Sequence, residues 1–275
     1  MSSRLDPAND MSKTLEPSAG GGEPNYFKRD LIASIVVIAA IIFGMEAWSW
    51  FAPVYIMPPP KLTGIEILRI LGEDYIHIFT TILRLLFAVA FSLVIGSLIG
   101  AVMGMYRPAE PYLKAIIVIF TGVPALSWML FAIFWFRGTE ERVFFILGVI
   151  LVPFYALNVY DGIKALSTDL IEVVETFRPS RWQVFRLLIL PHVVPYILMT
   201  TKSIIGYAAR MTAFAELVSV NTGMGARMGL AQDELNMEGV IGWTILLVIV
   251  NLGVQAIVAW AEKRLLKWRP EVSVR

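Results

Sequence analysis

The side chains that could do chemistry in this sequence are few and scattered. It contains two histidines, His77 and His192, and no cysteine. The histidines are too far apart for the four-residue spacing of a helical metal site, and without cysteine there is no thiolate nucleophile or thiolate-bound metal. An enzyme embedded in a membrane would need acids, bases or metal ligands that converge at one depth. The sequence shows no such cluster, so the residue types argue against catalysis by this chain.

Three basic residues are unusual because they fall inside long apolar segments: Arg84, Lys202 and Arg210. A charge at membrane depth is costly and usually faces protein or water. Arg84 and Lys202 lie near the ends of their segments and can extend toward the interface, and for Arg84 we expect a structural role. Arg210 lies near the middle of its segment. It either lines a pathway for an anion or forms an internal ion pair with Glu216 or Glu46, and the sequence leaves both open.

The elements that position these charges are apolar helices. The chain has 275 residues, of which 57% are apolar and 16% are charged, whereas soluble domains average about 45–50% apolar and about 25% charged residues. Runs of about 20 apolar residues are long enough to span a bilayer. We predict an all-α membrane protein with six transmembrane helices, at about residues 31–52, 76–105, 112–136, 143–160, 193–220 and 239–262.

Glycine and proline mark special points in these spans. Residues 122–124 (Gly-Val-Pro) lie in the middle of the third span, where proline removes a backbone donor and is expected to break the helix. Gly96, Gly100 and Gly104 recur every four residues in the second span and predict a face for close helix packing. The turn at residues 222–225, after the fifth span, contains two glycines that we expect to supply unusual backbone angles.

The basic residues are distributed unevenly among the connecting segments. If the amino terminus is cytoplasmic, fifteen of the 23 lysines and arginines fall in inner segments, five in outer segments and three within spans. Because cytoplasmic loops are enriched in Lys and Arg, this asymmetry places both termini in the cytoplasm. Residues 1–26 are polar and rich in Ser, Pro and Gly, which predicts a disordered cytoplasmic tail. Residues 27–268 are predicted to form the transmembrane domain, followed by a cytoplasmic tail at 269–275.

The longest inner connection, about residues 161–192, is predicted to form two short helices joined at a sharp corner. Asp169 with Glu172, and Ser180 with Gln183, have the spacing of capping boxes, and Pro179 separates the two pairs. Apolar residues recur at helical spacing across both helices: Ile171, Val174, Phe177, Trp182 and Phe185. Such an amphipathic segment fits either a groove on a partner protein or the lipid headgroups, and periodicity alone leaves both open.

This loop resembles the EAA loop of ATP-binding-cassette (ABC) importer permeases. The pattern of that loop is Glu-Ala-Ala, three residues, Gly, nine residues and Ile-x-Leu-Pro. Residues 172–174 (Glu-Val-Val) occupy the first three positions, Arg178 the glycine position and residues 188–191 (Leu-Ile-Leu-Pro) the end, with the spacing kept. Two valines replace the alanines, and Arg178 with Pro179 replaces the glycine turn.

Further segments extend the resemblance to the nitrate, sulfonate, taurine and bicarbonate branch of these permeases. Residues 81–84 resemble the start of its second span, residues 122–128 with 134–136 its proline-containing third span, and residues 215–225 the end of its fifth span. The resemblance covers about residues 55–265. It implies a type I ABC importer-like fold with a coupling-helix loop at about residues 161–192.

The resemblance also implies a membrane subunit that works with partners. Two cytoplasmic ATPase subunits would bind ATP and Mg²⁺, an outer substrate-binding protein would deliver the cargo, and the second permease subunit is expected to be another copy of this chain. These 275 residues contain no Gly-x-x-x-x-Gly-Lys-Ser/Thr phosphate loop, so we expect no cofactor on this chain. We expect a multi-pass protein of the bacterial inner membrane, in contact with lipid and not with nucleic acid.

Two sets of site residues follow from the loop and from the polar residues inside the spans. The predicted ATPase-coupling residues are Glu172, Val174, Glu175, Phe177, Arg178, Arg181, Trp182, Phe185, Leu190 and Pro191. The predicted residues of the translocation pathway are Pro124, Trp128, Asn158, Arg210 and Glu216. The expected cargo is a small anionic solute. The alternative function is a self-sufficient secondary transporter, although such proteins usually pair two broken helices and this sequence shows one.

Overall fold

The computed structural model describes residues 26–167, 176 and 179–265. Apart from Tyr26, the two predicted terminal tails therefore lie outside the described residues, and both stay predictions. The chain divides into two units, Met1–Ala52 and Pro53–Arg275.

The described part of the first unit is one apolar helix, α1 (Tyr26–Ser49). Its residues Ile32–Ser49 are long and apolar enough to cross a membrane. At the end of the helix, the Ser49 hydroxyl donates to the Glu46 carbonyl at 2.7 Å, and the Trp50 indole N–H donates to the Glu46 carboxylate at 3.3 Å. Glu46 thus makes local hydrogen bonds that close the last turn.

The second unit is built from helices that are joined by short connections. They are α2 (Pro60–Glu73), α3 (Tyr75–Met105), α4 (Glu110–Gly122), α5 (Ala125–Trp135), α6 (Thr139–Lys164), α7 (Arg181–Val184), α8 (Leu190–Ser219), α9 (Met224–Asp233) and α10 (Met237–Leu265). A π-helical turn, Phe185–Ile189, joins α7 to α8.

The described helices confirm an all-α architecture with up to six candidate spans. By length and composition, α1, α3, α6, α10 and the continuous segment Trp182–Ser219 can each cross a membrane. Helices α4 and α5 form the sixth candidate and are bent by 95° where they meet. Val123 is extended at this break, with φ −80° and ψ 128°, which is the conformation that a following proline favours. The predicted break at residues 122–124 is confirmed.

The glycine face of the second span packs against α6, as its spacing predicts. A Cβ atom added at Gly96 would come within 2.6 Å of Tyr155 Cβ, and one at Gly104 within 2.8 Å of the Ile163 side chain. At Gly100 it would collide with the Ala156 carbonyl oxygen. The two backbones can approach this closely because these glycines have no side chain.

The core that supports the functional residues lies between α3, α6 and α8. Leu85, Tyr155 and Ile205, one from each helix, are at most 1% exposed. The Tyr155 hydroxyl lies 2.9 Å from the Thr201 hydroxyl, so a hydrogen bond also links α6 to α8. Helix α2 packs through Ile70 on a second cluster that includes Trp243 of α10.

Candidate functional site

A buried ion pair joins α3 to the end of α8. The Arg84 side chain is 3% exposed and that of Glu216 is fully buried. Arg84 Nη1 donates to Glu216 Oε1 at 2.9 Å and to the Thr222 carbonyl at 2.6 Å. On its other edge, Arg84 Nε donates to Glu140 Oε2 at 2.9 Å, at the beginning of α6. The guanidinium thus lies between two carboxylates, which compensates for burying its charge.

The Glu216 carboxylate receives two further hydrogen bonds from neutral donors. The Thr81 hydroxyl donates to it, 2.8 Å from Oε2, and the backbone N–H of Gly225 donates to Oε2 at 3.0 Å. Thr81 in turn accepts the backbone N–H of Met224 at 2.8 Å. Gly225 lies in the first turn of α9, where free N–H groups favour an anion. A carboxylate of the protein itself is therefore bound at this helix end.

The glycines of the turn after α8 make this arrangement possible. Gly223 has φ +109°, a left-handed conformation that residues with a Cβ rarely adopt. A Cβ atom there would also collide with the Glu216 carboxylate, and one at Gly225 would collide with the Ala213 carbonyl oxygen. The expectation that glycine supplies unusual backbone angles here is confirmed at Gly223.

Further polar contacts connect the turn after α8 to the rest of the bundle. His77 Nδ1 accepts the Gly223 N–H at 3.1 Å. Arg142 donates from Nη1 to the Ser219 carbonyl at 3.0 Å, which links α6 to the last residue of α8. Asp74 accepts from Arg227 of α9 at 3.1 Å. Helices α3, α6, α8 and α9 therefore share one polar cluster at this end of the bundle. The cluster holds the turn between α8 and α9 in place.

Two expectations about the charges inside the spans are corrected. Arg84 has the structural role expected of it, but its side chain is enclosed by protein and does not extend to the interface. Glu216 pairs with Arg84 and not with Arg210, because positions six residues apart on one helix point about 120° away from each other. Since Glu216 is fully buried, it faces no open surface, and we no longer assign it to the pathway.

Sequence reasoning missed Glu140 and Thr222 as members of this cluster. The Thr222 hydroxyl accepts from Arg84 Nη2 at 2.8 Å, and Glu140 accepts from the same nitrogen. One signal was present, because a buried arginine requires acceptors for both edges of its guanidinium. Because Arg84 and Glu140 are 56 residues apart, the sequence does not show which carboxylate accepts hydrogen bonds from the second edge of the guanidinium.

Three of the predicted pathway residues line two neighbouring cavities. Pro124 and Trp128 line one of about 240 Å³ at the α4–α5 break. Asn158 lines another of about 450 Å³ between α6 and α8. Phe154 and Tyr207 line both cavities, and their rings lie 5.7 Å apart. The structure thus brings the helix break and Asn158 to one continuous surface with polar and aromatic groups.

Arg210 lies beside this surface. It follows Tyr207 by three residues and Ser203 by seven, which places the three side chains on one face of α8. Ser203 and Tyr207 line the larger cavity, and the Arg210 side chain is exposed. The neighbouring cation Lys202 instead pairs with Glu262 of α10 at 2.9 Å. Arg210 therefore lies on the same face of α8 as two residues that line the larger cavity, and its role in the pathway stays a prediction.

The predicted coupling residues are only partly within the described chain. Glu172, Val174, Glu175, Phe177 and Arg178 lie outside the described residues, and for Arg181 the structure describes only the backbone. Trp182 is 65% exposed and stacks on Phe185 with ring centroids 5.6 Å apart. Leu190 is 42% exposed, and Pro191 is exposed as well. Trp182, Leu190 and Pro191 present apolar surface outside the bundle, whereas Phe185 is half-buried and packs against the cluster that contains Ile189 and Val193.

The capping box at Ser180 and Gln183 is confirmed. Gln183 Oε1 accepts the Ser180 N–H at 2.7 Å, and Ser180 Oγ accepts the Gln183 N–H at 3.3 Å. The helix that begins here continues through the π-helical turn into α8. Pro191 lacks the backbone N–H that would bond to a carbonyl one turn earlier in the helix. The Leu190 N–H bonds to the Phe185 carbonyl, five residues earlier, which is the spacing of a π-helix. The stacked pair of Trp182 and Phe185 is therefore joined directly to the helix that carries Arg210.

The described residues form helices with up to six candidate spans, a break in the third candidate span and exposed apolar surface before α8, which is the architecture of a multi-pass membrane protein. Residues 92–267 match the family described as "Binding-protein-dependent transport system inner membrane component". Since this match covers more than half of the sequence, the chain belongs to that family of ABC importer permeases.

Individual relatives agree with this family, and a solved structure shares the fold. The chain is 23% identical over 254 residues to the taurine transport system permease protein TauC of Escherichia coli K12, covering 88% of this chain and 90% of that protein. It is 25% identical over 179 residues to the nitrate import permease protein NrtB of Leptolyngbya laminosa, covering 65% and 63%. The fold matches a crystal structure of an amino acid ABC transporter with histidines, at TM-score 0.62, 14% identity and coverage of 73% and 97%.

Family membership decides between the classes of function that the sequence left open. The chain is the non-catalytic, multi-pass membrane component of a binding-protein-dependent ABC importer, and ATPase subunits complete the transporter. The alternative of a self-sufficient secondary transporter is not retained, because the permeases of this family depend on partner ATPases.

Proposed function

We propose that this chain forms the translocation pathway for a small anionic solute with an oxyanion group, such as a sulfonate or nitrate. The exposed Arg210 beside the cavity of Asn158, Ser203 and Tyr207 carries this proposal. The relatives support it, because taurine and nitrate each present an oxyanion. A guanidinium matches oxyanions well, since its planar N–H groups can donate two parallel hydrogen bonds.

The position of Arg210 suits transient binding. A charged residue within a span is tolerated where it faces a water-filled cavity. The face from Ser203 to Arg210 covers about 10 Å of helix, and along it hydroxyl, phenol and guanidinium groups follow one another. These groups can replace the water around an oxyanion in small steps, which keeps binding weak enough for the solute to move on.

We propose that two copies of the chain enclose the pathway. The cavity beside Arg210 is open in a single copy, so a second copy that presents the same face would complete its wall. In the proposed orientation both termini are cytoplasmic in a bacterial inner membrane, and an outer substrate-binding protein delivers the solute. The transmembrane domain is proposed to extend over residues 27–268.

We also propose that the segment before α8 receives the movement of the ATPase subunits. Trp182 and Phe185 supply the stacked aromatic anchor, with Leu190 and Pro191 beside it, and the capping box at Ser180 fixes where the helix begins. The acidic and basic residues from Glu172 to Arg181 supply the polar contacts. Because the helix is continuous from Arg181 to Ser219, a push at Trp182 would be transmitted toward Arg210.

Replacement of Arg210 by glutamine tests the pathway. In proteoliposomes that contain the complete transporter, we expect the Arg210→Gln variant to take up taurine or ethanesulfonate at least about ten-fold more slowly, since one charged hydrogen-bonding partner contributes about 1.5–3 kcal/mol. The protein should still assemble with its ATPase subunits, because the side chain is exposed.

The matched control is Lys202→Gln on the same helix. Lys202 is also an exposed cation, but it faces Glu262 of α10, so uptake should stay within about two-fold of the unchanged protein. Uptake by the Arg210→Gln variant at the unchanged rate would remove Arg210 from the pathway.

A further inference from the structure

An apolar groove runs between α3, α4 and α6, and it shares Phe120 and Val149 with the cavity at the α4–α5 break. Its volume is about 610 Å³, and five phenylalanines line it: Phe87, Phe91, Phe120, Phe144 and Phe145. The other lining residues are aliphatic except for Gly148 and Pro153. Along α3 the groove extends from Phe87 to Ile99, about 18 Å of helix. Half of a hydrocarbon core about 30 Å thick is roughly 15 Å, so the groove covers about one leaflet.

One end of this groove meets a group of ionisable residues. Leu113 lines the groove, and Lys114 follows it in α4. The Lys114 ammonium lies 5.6 Å from the centroid of the Tyr160 ring, and the Lys164 ammonium lies 5.5 Å from the same ring. Lys164 pairs with Glu110 at 3.0 Å, and the Tyr160 hydroxyl donates to the same carboxylate at 2.5 Å.

The group contains two lysines and two carboxylates, since Glu110 interacts with both Lys164 and Lys114, and Asp161 lies near Tyr160. Of the two lysines, Lys164 makes the ion pair with Glu110. The contact described for Lys114 is the face of the Tyr160 ring, which leaves its N–H groups directed away from the ring able to donate. A basic residue at the end of an apolar groove matches the chemistry of an anionic phospholipid, with a negative headgroup and an apolar chain.

We propose that the groove binds one acyl chain of an anionic phospholipid and that Lys114 holds the phosphate of its headgroup. The chain would lie along the five phenylalanines between α3 and α4. The headgroup would lie at the beginning of α4, where membrane water and lipid headgroups meet. In this position the lipid would lie against α4, next to the 95° bend between α4 and α5.

The lining of the groove favours a lipid over a transmembrane helix of another protein. Helices approach each other in membranes through small residues, and the small-residue face of α3 is already used against α6. The groove presents large aromatic rings and one glycine, Gly148. A flexible aliphatic chain can adapt to the spaces between such rings.

The test is lipid binding to the complete, detergent-purified transporter, measured by native mass spectrometry. Dioleoylphosphatidylglycerol is titrated against dioleoylphosphatidylcholine, which has the same chains but no net charge. We expect one tightly held phosphatidylglycerol per permease copy, with an affinity about five-fold or more above that of phosphatidylcholine. The Lys114→Gln variant should lose this preference and bind both lipids equally.

A second variant tests the groove itself. A Cβ atom at Gly148 meets only the Phe91 ring, at 3.5 Å, so Gly148→Leu should fill the groove and weaken the binding of both lipids. The matched control for Lys114→Gln is Arg264→Gln, because Arg264 also lies over an aromatic ring, 5.4 Å from the centroid of Trp260, but away from the groove. This control should keep the preference.

Three outcomes would overturn the proposal. The unchanged transporter could bind the two lipids equally, or Lys114→Gln could behave like Arg264→Gln. Alternatively, Gly148→Leu could leave lipid binding unchanged and separate the permease subunits on size-exclusion chromatography, in which case a protein helix covers the groove.

Discussion

Replacement of Arg84 by methionine is expected to destabilise the protein by about 3–5 kcal/mol, because it leaves the fully buried Glu216 carboxylate without its cation. The remaining donors to Glu216, the Thr81 hydroxyl and the Gly225 N–H, are neutral. At roughly 2–4 °C per kcal/mol for a chain of this size, the midpoint of thermal unfolding should fall by about 10 °C. Fluorescence-detected size-exclusion chromatography after heating measures this midpoint in detergent.

Two further variants separate a buried charge from the loss of any ion pair. Lys202→Met removes a pair of similar length in which the lysine is 57% exposed, and such pairs contribute only about 0–1 kcal/mol. The double variant Arg84→Met with Glu216→Gln should recover part of the loss, because it removes the uncompensated charge. Equal losses for Arg84→Met and Lys202→Met would show that the cluster does not hold the corner between α8 and α9.

The combined change of Trp182→Ala and Glu172→Lys is expected to uncouple ATP hydrolysis from transport. An exposed tryptophan that inserts into a partner groove typically contributes about 2 kcal/mol or more to the contact. The reversed charge at Glu172 would add repulsion where attraction is proposed. Stimulation of the ATPase by the loaded binding protein should fall by at least about ten-fold, while insertion of the permease into the membrane stays normal.

The control for this experiment is Leu187→Ala, in the π-helical turn next to Trp182. Leu187 is 73% exposed, compared with 65% for Trp182, but it is not among the proposed coupling residues. Its ATPase stimulation should stay close to that of the unchanged transporter. Full stimulation in the Trp182→Ala and Glu172→Lys protein would exclude this segment as the coupling contact.

The features that depend on short stretches of sequence were predictable. The spans follow from runs of apolar residues, and the break in the third follows from Pro124, which cannot donate a helical hydrogen bond. The packing face at Gly96 and Gly100 and the capping box at Ser180 likewise depend on spacings of three or four residues. Each of these features depends on residues that are close together in the chain, so a single sequence is sufficient to predict it.

The partners of the buried charges were not predictable in the same way. The sequence shows the approximate depth of Arg84 and Glu216, but they are 132 residues apart, and depth alone does not choose between Arg84 and Arg210 as the partner. Helix geometry removes part of this ambiguity, since Arg210 and Glu216 lie on different faces of α8. The choice of Glu140 for the other edge of Arg84 depends on how α3 and α6 pack, which no local pattern encodes.

The most direct test of an ATP-driven importer subunit is to purify the tagged chain from its native membrane in mild detergent and to identify the proteins that accompany it. An ATP-hydrolysing protein should co-purify at equal stoichiometry, and the combined change of Trp182 and Glu172 should weaken that association. The contrary result is a chain that purifies alone and moves its solute into liposomes without ATP. That result would contradict both the partner assignment and the proposed coupling segment.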